Sequence, residues 1–217
     1  ITSDACIFGA WVQLSDHSRV LDVGTGTGLL ALMLAQRFAI EVDALEIEQA
    51  SADQAAKNVS HSPWFDKISV YHTGLCDFSG RFDEEAAYDY LVCNPPFYQQ
   101  AIKSASTQKR LAWHQDTLTL PDLIEAARKM LQPEGLLHLM VPFSTQQKLE
   151  TICQQNGFFP LKLCGLKSYT ERCPHRLLAS YSRAPERTDI SELIVYDAPQ
   201  RYSSECRKLL HPFFIDL

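Results

Sequence analysis

From residue 19 onward the chain alternates short apolar runs with longer stretches whose apolar residues recur at helical spacing. The short runs predict strands at 19–23, 41–46, 67–72, 88–93 and 136–142, with two more at 158–164 and 176–182. Between them Gly28 to Phe38, Glu48 to Val59 and Pro121 to Leu131 fit helices, the last with proline early in its first turn. A further helix from Gln146 to Asn156 closes at Gly157, where a left-handed terminating residue is expected. The tail suggests one more strand, Glu192 to Tyr196, and a short helix around Ser203 to Leu210. This alternation specifies an α/β fold, a seven-stranded, mostly parallel sheet with helices on both faces. Asn94 to Leu120 interrupts it without core periodicity, and a loop of that length is expected to be functional.

Composition narrows the picture. With 217 residues, 46% of them hydrophobic, the chain can bury a full core. Its longest apolar runs, Leu29 to Ala35 and Leu136 to Phe143, fall short of the roughly 18 to 20 residues of a membrane helix, and no membrane association is expected. No basic-then-apolar leader opens the sequence. Seven cysteines without a C-x-x-C pair, several inside apolar runs, read as small hydrophobes. Neither disulfides nor a metal site is expected, and a cytoplasmic location suits the pattern. A net charge of −6 gives no overall attraction to nucleic acid, so such a partner needs a local basic surface.

The stretch RVLDVGTGTGLLALMLAQR sets Asp22, Gly24, Thr25, Gly26 and Gly28 between the first strand and a helix, where open α/β sheets bind ligands. A dinucleotide loop wants G-x-G-x-x-G, but position 29 is leucine and the spacing here is G-x-G-x-G. Alternate glycines let backbone approach a ligand closely, and the acidic Asp22 suits an amino-bearing ligand better than a phosphate. S-adenosylmethionine meets both demands. Glu46, 18 residues beyond Gly28, is placed to accept from a ribose diol, and Asp77 is placed to accept from an adenine amino group.

After the fourth strand comes Asn94-Pro95-Pro96-Phe97. Proline fixes φ and keeps the preceding residue out of the helical region, so Asn94 and Pro95 are held extended. The Asn94 side-chain oxygen and the Pro95 carbonyl can then point at one planar amine, while Phe97 offers a ring for stacking. That describes the exocyclic amine of adenine or cytosine, or a side-chain amide.

On these two motifs the chain resembles class I, Rossmann-like, S-adenosylmethionine-dependent amino-methyltransferases. TSDACIFGAW, SPWFDKI, NPPFYQQ and PHRLLASYS bring it closest to the bacterial tRNA(Val) adenine-37 N6-methyltransferase family. The resemblance implies that Asp22, Gly24, Thr25, Gly26 and Gly28 line the methionine moiety, Glu46 the ribose and Asp77 the adenine. It adds Thr2 and Asp4 to the cofactor segment and makes Asn94, Pro95, Pro96 and Phe97 the catalytic stretch, Asn94 also bordering the cofactor. Residues 1–217 are expected to be one catalytic domain, with a cofactor half of about 1–93 and a target half of about 94–217. Lys103, Lys109, Arg110, Lys167, Arg172 and Arg176 are expected to form a basic rim for tRNA, with Trp113, Tyr169 and His175 available to stack unpaired bases. The same motif serves glutamine N5-methylation in a release factor, methylation of an adenine in rRNA, or, in a degenerate module, nucleotide binding alone. The protein-directed family usually carries a separate N-terminal helical domain, which favours the RNA reading.

Overall fold

Strand β1 (Arg19–Val23) divides the interior: Val20 joins an apolar cluster on one face, whereas Leu21 and Val23 join a second cluster on the other. With both faces covered, such strands read as unbroken apolar runs. The computed structural model describes residues 3–80, 87–95 and 118–214, and places eight strands in one sheet. After β1 these are β2 (Glu41–Glu46), β3 (Ile68–His72), β4 (Tyr88–Cys93), β5 (Leu131–Pro142), β6 (Phe159–Lys167), β7 (Arg176–Ser182) and β8 (Asp189–Ile194). Their order is β3-β2-β1-β4-β5-β7-β6-β8; β7 is antiparallel to both neighbours and the other pairings are parallel.

The sheet therefore holds one strand more than the seven expected. β8 extends it beside β6 and starts at Asp189 rather than 192, because its first four residues are exposed and carry no core alternation. β5 also begins early, at Leu131 rather than 136. Through Pro133 and Gly135 the chain stays extended across a register shift opposite Tyr88 and Tyr90. Only glycine fits at 135, where a Cβ would stand 3.1 Å from the Asp89 carbonyl oxygen.

Helices α1 (Ser3–Trp11), α2 (Leu29–Arg37) and α7 (Ser204–Leu210) cover one face, with α3 (Gln49–Ser60) contributing Val59. The short α4 (Leu75–Ser79), α5 (Leu120–Met130) and α6 (Gln146–Gln155) cover the other. Thr119 starts α5 through a reciprocal capping box with Asp122. Helix α1 has no counterpart in the sequence pattern, because Cys6 to Ala10 are consecutively buried and no polar stripe sets a helical period. Among the described residues no helix is long and apolar enough to cross a membrane.

Helix α1 runs alongside α2 in the same direction. A Cβ on Gly9 would lie 3.2 Å from Leu30 and 3.0 Å from Met33, and the Arg37 guanidinium donates to the Gly9 and Val12 carbonyls at 2.8 and 2.7 Å. Arg37 thus satisfies carbonyls that the end of α1 leaves without helical partners. Since α2 starts at the glycine loop, α1 also starts at that edge of the sheet.

Candidate active site

Gly24, Gly26 and Gly28 take φ of +72°, +59° and +84°. A Cβ in this left-handed region costs about 1–2 kcal/mol. At Gly24 and Gly26 a Cβ would meet nothing within 4 Å, so backbone angle alone demands glycine and the space over the loop is open. The loop is fastened to β2. Gly24 and Thr25 both donate to the Leu45 carbonyl at 2.9 Å, and Gly26 donates to Glu46 Oε2 at 2.8 Å. Glu46 Oε1 accepts from the Glu48 N–H at 2.9 Å. A carboxylate offers roughly four lone-pair sites, so capacity for a diol remains.

Asp22 behaves differently from its expected role. It is 1% exposed, accepting from Thr25 Oγ1 at 2.6 Å and from the Ala31 N–H in the first turn of α2. Burial pushes its carboxyl up to about 7; these two hydrogen bonds oppose the shift and nearby Glu46 adds to it. The reading of Asp22 as a direct partner of a ligand amine is corrected: it faces inward and braces the loop onto the helix.

Val23 of β1 lies opposite Cys93 of β4, so Asn94 leaves β4 beside Gly24. Asn94 is half-buried and Pro95 buried. Pro96, Phe97, Thr2, Lys103, Lys109 and Arg110 lie outside the described residues. Asp77 is exposed in the first turn of α4, and Gly74 sits between it and Ile47: a Cβ there would be 3.4 Å from Ile47 Cδ1 and 4.0 Å from Asp77 Oδ2. Ile47, 45% exposed, escaped the sequence reading. Its signal was its position, a bare aliphatic side chain directly after Glu46 at the end of a central strand.

Asp4 is partly buried near the start of α1, with His175 Nε2 3.3 Å and Arg176 Nε 3.5 Å from its Oδ2. The two distant stretches SDACIFGAW and PHRLLASYS therefore meet at the ligand edge of the sheet. Arg176 is thus ion-paired, as is Lys167 with Glu192 at 2.7 Å, which leaves the rim with less free charge than residue counting suggests. Arg172 is exposed and lines a cavity of about 530 Å³ with Tyr169, Thr170, Glu171, Tyr196 and Asp197. This cavity lies past the ends of β6 and β8, away from the glycine loop. Open backbone, Glu46 and Asn94 converge instead at the glycine loop. Among the described residues no group of three His, Cys, Asp or Glu side chains is disposed to hold a metal ion.

Residues 10–158 match the methyltransferase small domain family. The chain belongs to that family. It is 36% identical over its full length to the tRNA1(Val) (adenine(37)-N6)-methyltransferase of Parabacteroides distasonis, covering 91% of that protein. The protein of the same name from Histophilus somni is 34% identical, again over the whole chain and 90% of the relative. In fold it is similar to a "predicted O-methyltransferase" of Agrobacterium tumefaciens, with TM-score 0.74 and 17% identity over 96% of this chain and 95% of that one. The geranyl diphosphate C-methyltransferase of Streptomyces coelicolor, solved with S-adenosyl-L-homocysteine, shares the fold at TM-score 0.60 and 12% identity, over 84% and 78% of the two chains.

Proposed function

We propose that the protein methylates N6 of an adenine in tRNA, position 37 of valine tRNA, using S-adenosylmethionine in the cytoplasm. The observation that carries this reading is the exit of Asn94 from β4 beside the open glycine loop. The names of the full-length relatives supply the substrate class. The residues present suit the cofactor. The open backbone at Gly24, Thr25, Gly26 and Gly28 takes the methionine part, the spare lone pairs of Glu46 take the ribose diol, and Ile47 and Asp77 flank the adenine. Asp4 borders the mouth, Thr2 is assigned with it to the cofactor segment, and Asp22 supports the loop from behind.

When bound, S-adenosylmethionine supplies an electrophilic methyl on sulfur: the N–C bond forms, the S–C bond breaks, a neutral thioether leaves, and the nitrogen sheds a proton. The chain's own part is positioning. Asn94 Oδ1 and the Pro95 carbonyl accept the two N–H bonds of the amine, which turns its lone pair out of the ring and is most stabilising in the transition state. Phe97 supplies the ring against which the base lies flat. No strong base is required, because the alkylated nitrogen is acidic. Arg172, with Lys103, Lys109 and Arg110, meets the RNA backbone.

The test is transfer of labelled methyl from S-adenosylmethionine in a mixture of total tRNA and release factor. Label in tRNA supports the proposal. Label in protein supports glutamine methylation instead, and cofactor binding without any transfer identifies an inactive module.

A further inference from the structure

The cavity past β6 and β8 is lined by two tyrosine rings, two carboxylates and one guanidinium. Tyr196 stacks on Tyr202 with ring centroids 5.1 Å apart at 24°, and Tyr169 tilts against Tyr196 at 5.9 Å and 40°. Backbone bonds hold the platform: Val195 donates to Lys167 at 2.8 Å, Tyr196 to Ser168 at 3.0 Å, and Arg172 to Tyr169 at 3.0 Å. The rings are thus positioned before any ligand arrives. At about 530 Å³ the cavity falls within the range of small-ligand pockets. Its lining sets the carboxylates of Glu171 and Asp197 against one guanidinium, Arg172, so a phosphate is disfavoured inside and hydrogen-bond donors are favoured.

β6 and β8 run parallel to each other, and β6 shares its direction with β4 and β5, so the cavity opens on the same edge as Asn94. Three strand steps separate β4 from β6, roughly 14 Å at the usual strand spacing. A few unpaired nucleotides span that distance. Aromatic faces with carboxylates at their edges bind bases by stacking and by accepting from exocyclic amines.

Resting on the RNA-methyltransferase reading, we propose that the Tyr169–Tyr196 cavity holds a second unpaired base of the substrate RNA, one with an exocyclic amino group, near the target adenine in sequence. It is a reading subsite that selects the loop presented to Asn94.

The experiment uses an RNA stem-loop that the full chain methylates; if tRNA itself takes no methyl, the parent reading fails and this site is not what failed. Given transfer, Tyr169→Leu should raise the KM for the stem-loop about five- to hundredfold, the effect expected of one stacked base, with kcat unchanged. Tyr169→Phe should restore it, and unaltered S-adenosylmethionine affinity confirms that the variant is folded. A series of stem-loops, each with one abasic unpaired nucleotide other than the target, should contain one position that weakens the wild type similarly and Tyr169→Leu no further. Asp197→Asn should reduce preference at that position for an amino-bearing base over uracil. Transfer retained with no abasic position coupled to Tyr169, or Tyr169→Phe as impaired as Tyr169→Leu, overturns the inference.

Discussion

Replacing Asp22 by asparagine isolates one electrostatic cost beneath the glycine loop. Asparagine keeps an acceptor for the Thr25 hydroxyl and the Ala31 N–H but never ionises. The folded carboxyl titrates at about 7 against 3.8 for the free group, chiefly because burial penalises its charge. Below 3.8 it is protonated in both folded and unfolded chains. As pH rises from there the unfolded chain ionises while the folded protein keeps its proton, so the stability this group contributes is lost until about pH 7. Three units at 1.36 kcal/mol each make the loss roughly 4 kcal/mol. Urea denaturation of wild type and Asp22→Asn at matched pH measures it, since other titrations cancel in the difference. Wild-type stability minus variant stability should fall by roughly 4 kcal/mol between about pH 4 and pH 8 and then level off. A flat difference, or one that rises with pH, refutes the reasoning and means that the helix N-terminus and Thr25 outweigh burial.

Gly26→Ala should lower stability by about 1–2 kcal/mol in urea denaturation, because φ of +59° strains any Cβ. Calorimetry should also show weaker S-adenosylmethionine binding, since the added methyl occupies the open space over the loop. Asp4→Ala removes partly exposed ion pairs, so stability should change by less than about 1 kcal/mol, while cofactor affinity falls several-fold as the start of α1 loosens. RNA binding should weaken with salt whereas cofactor binding hardly moves. Lys167 and Arg176 already hold carboxylate partners, so Lys167→Ala should leave the log–log salt slope of RNA binding nearly unchanged.

The chemistry of the site was legible where a residue's backbone requirement is local. Gly24 and Gly26 announce positive φ, and Asn94-Pro95 announces a strand end, so their meeting followed once β1 and β4 were paired. What stayed hidden depends on distant partners. Asp4 and His175 are 171 residues apart, and neither local pattern indicates the other. Whether Asp22 faces a ligand or the interior turns on Thr25 and Ala31 closing around it, which spacing does not reveal. Helix α1 was missed because it is buried on all sides, and the start of β8 because it is exposed.

The central claim is that the Asn94 corner acts on the amine rather than on the cofactor. Single-turnover methyl transfer to valine tRNA by wild type and Asn94→Ala tests it most directly, with cofactor affinity measured alongside. The account predicts N6-methyladenosine as the product and a rate loss of about 10²–10³, far larger than any loss of cofactor affinity. Transfer at the wild-type rate by Asn94→Ala would contradict it.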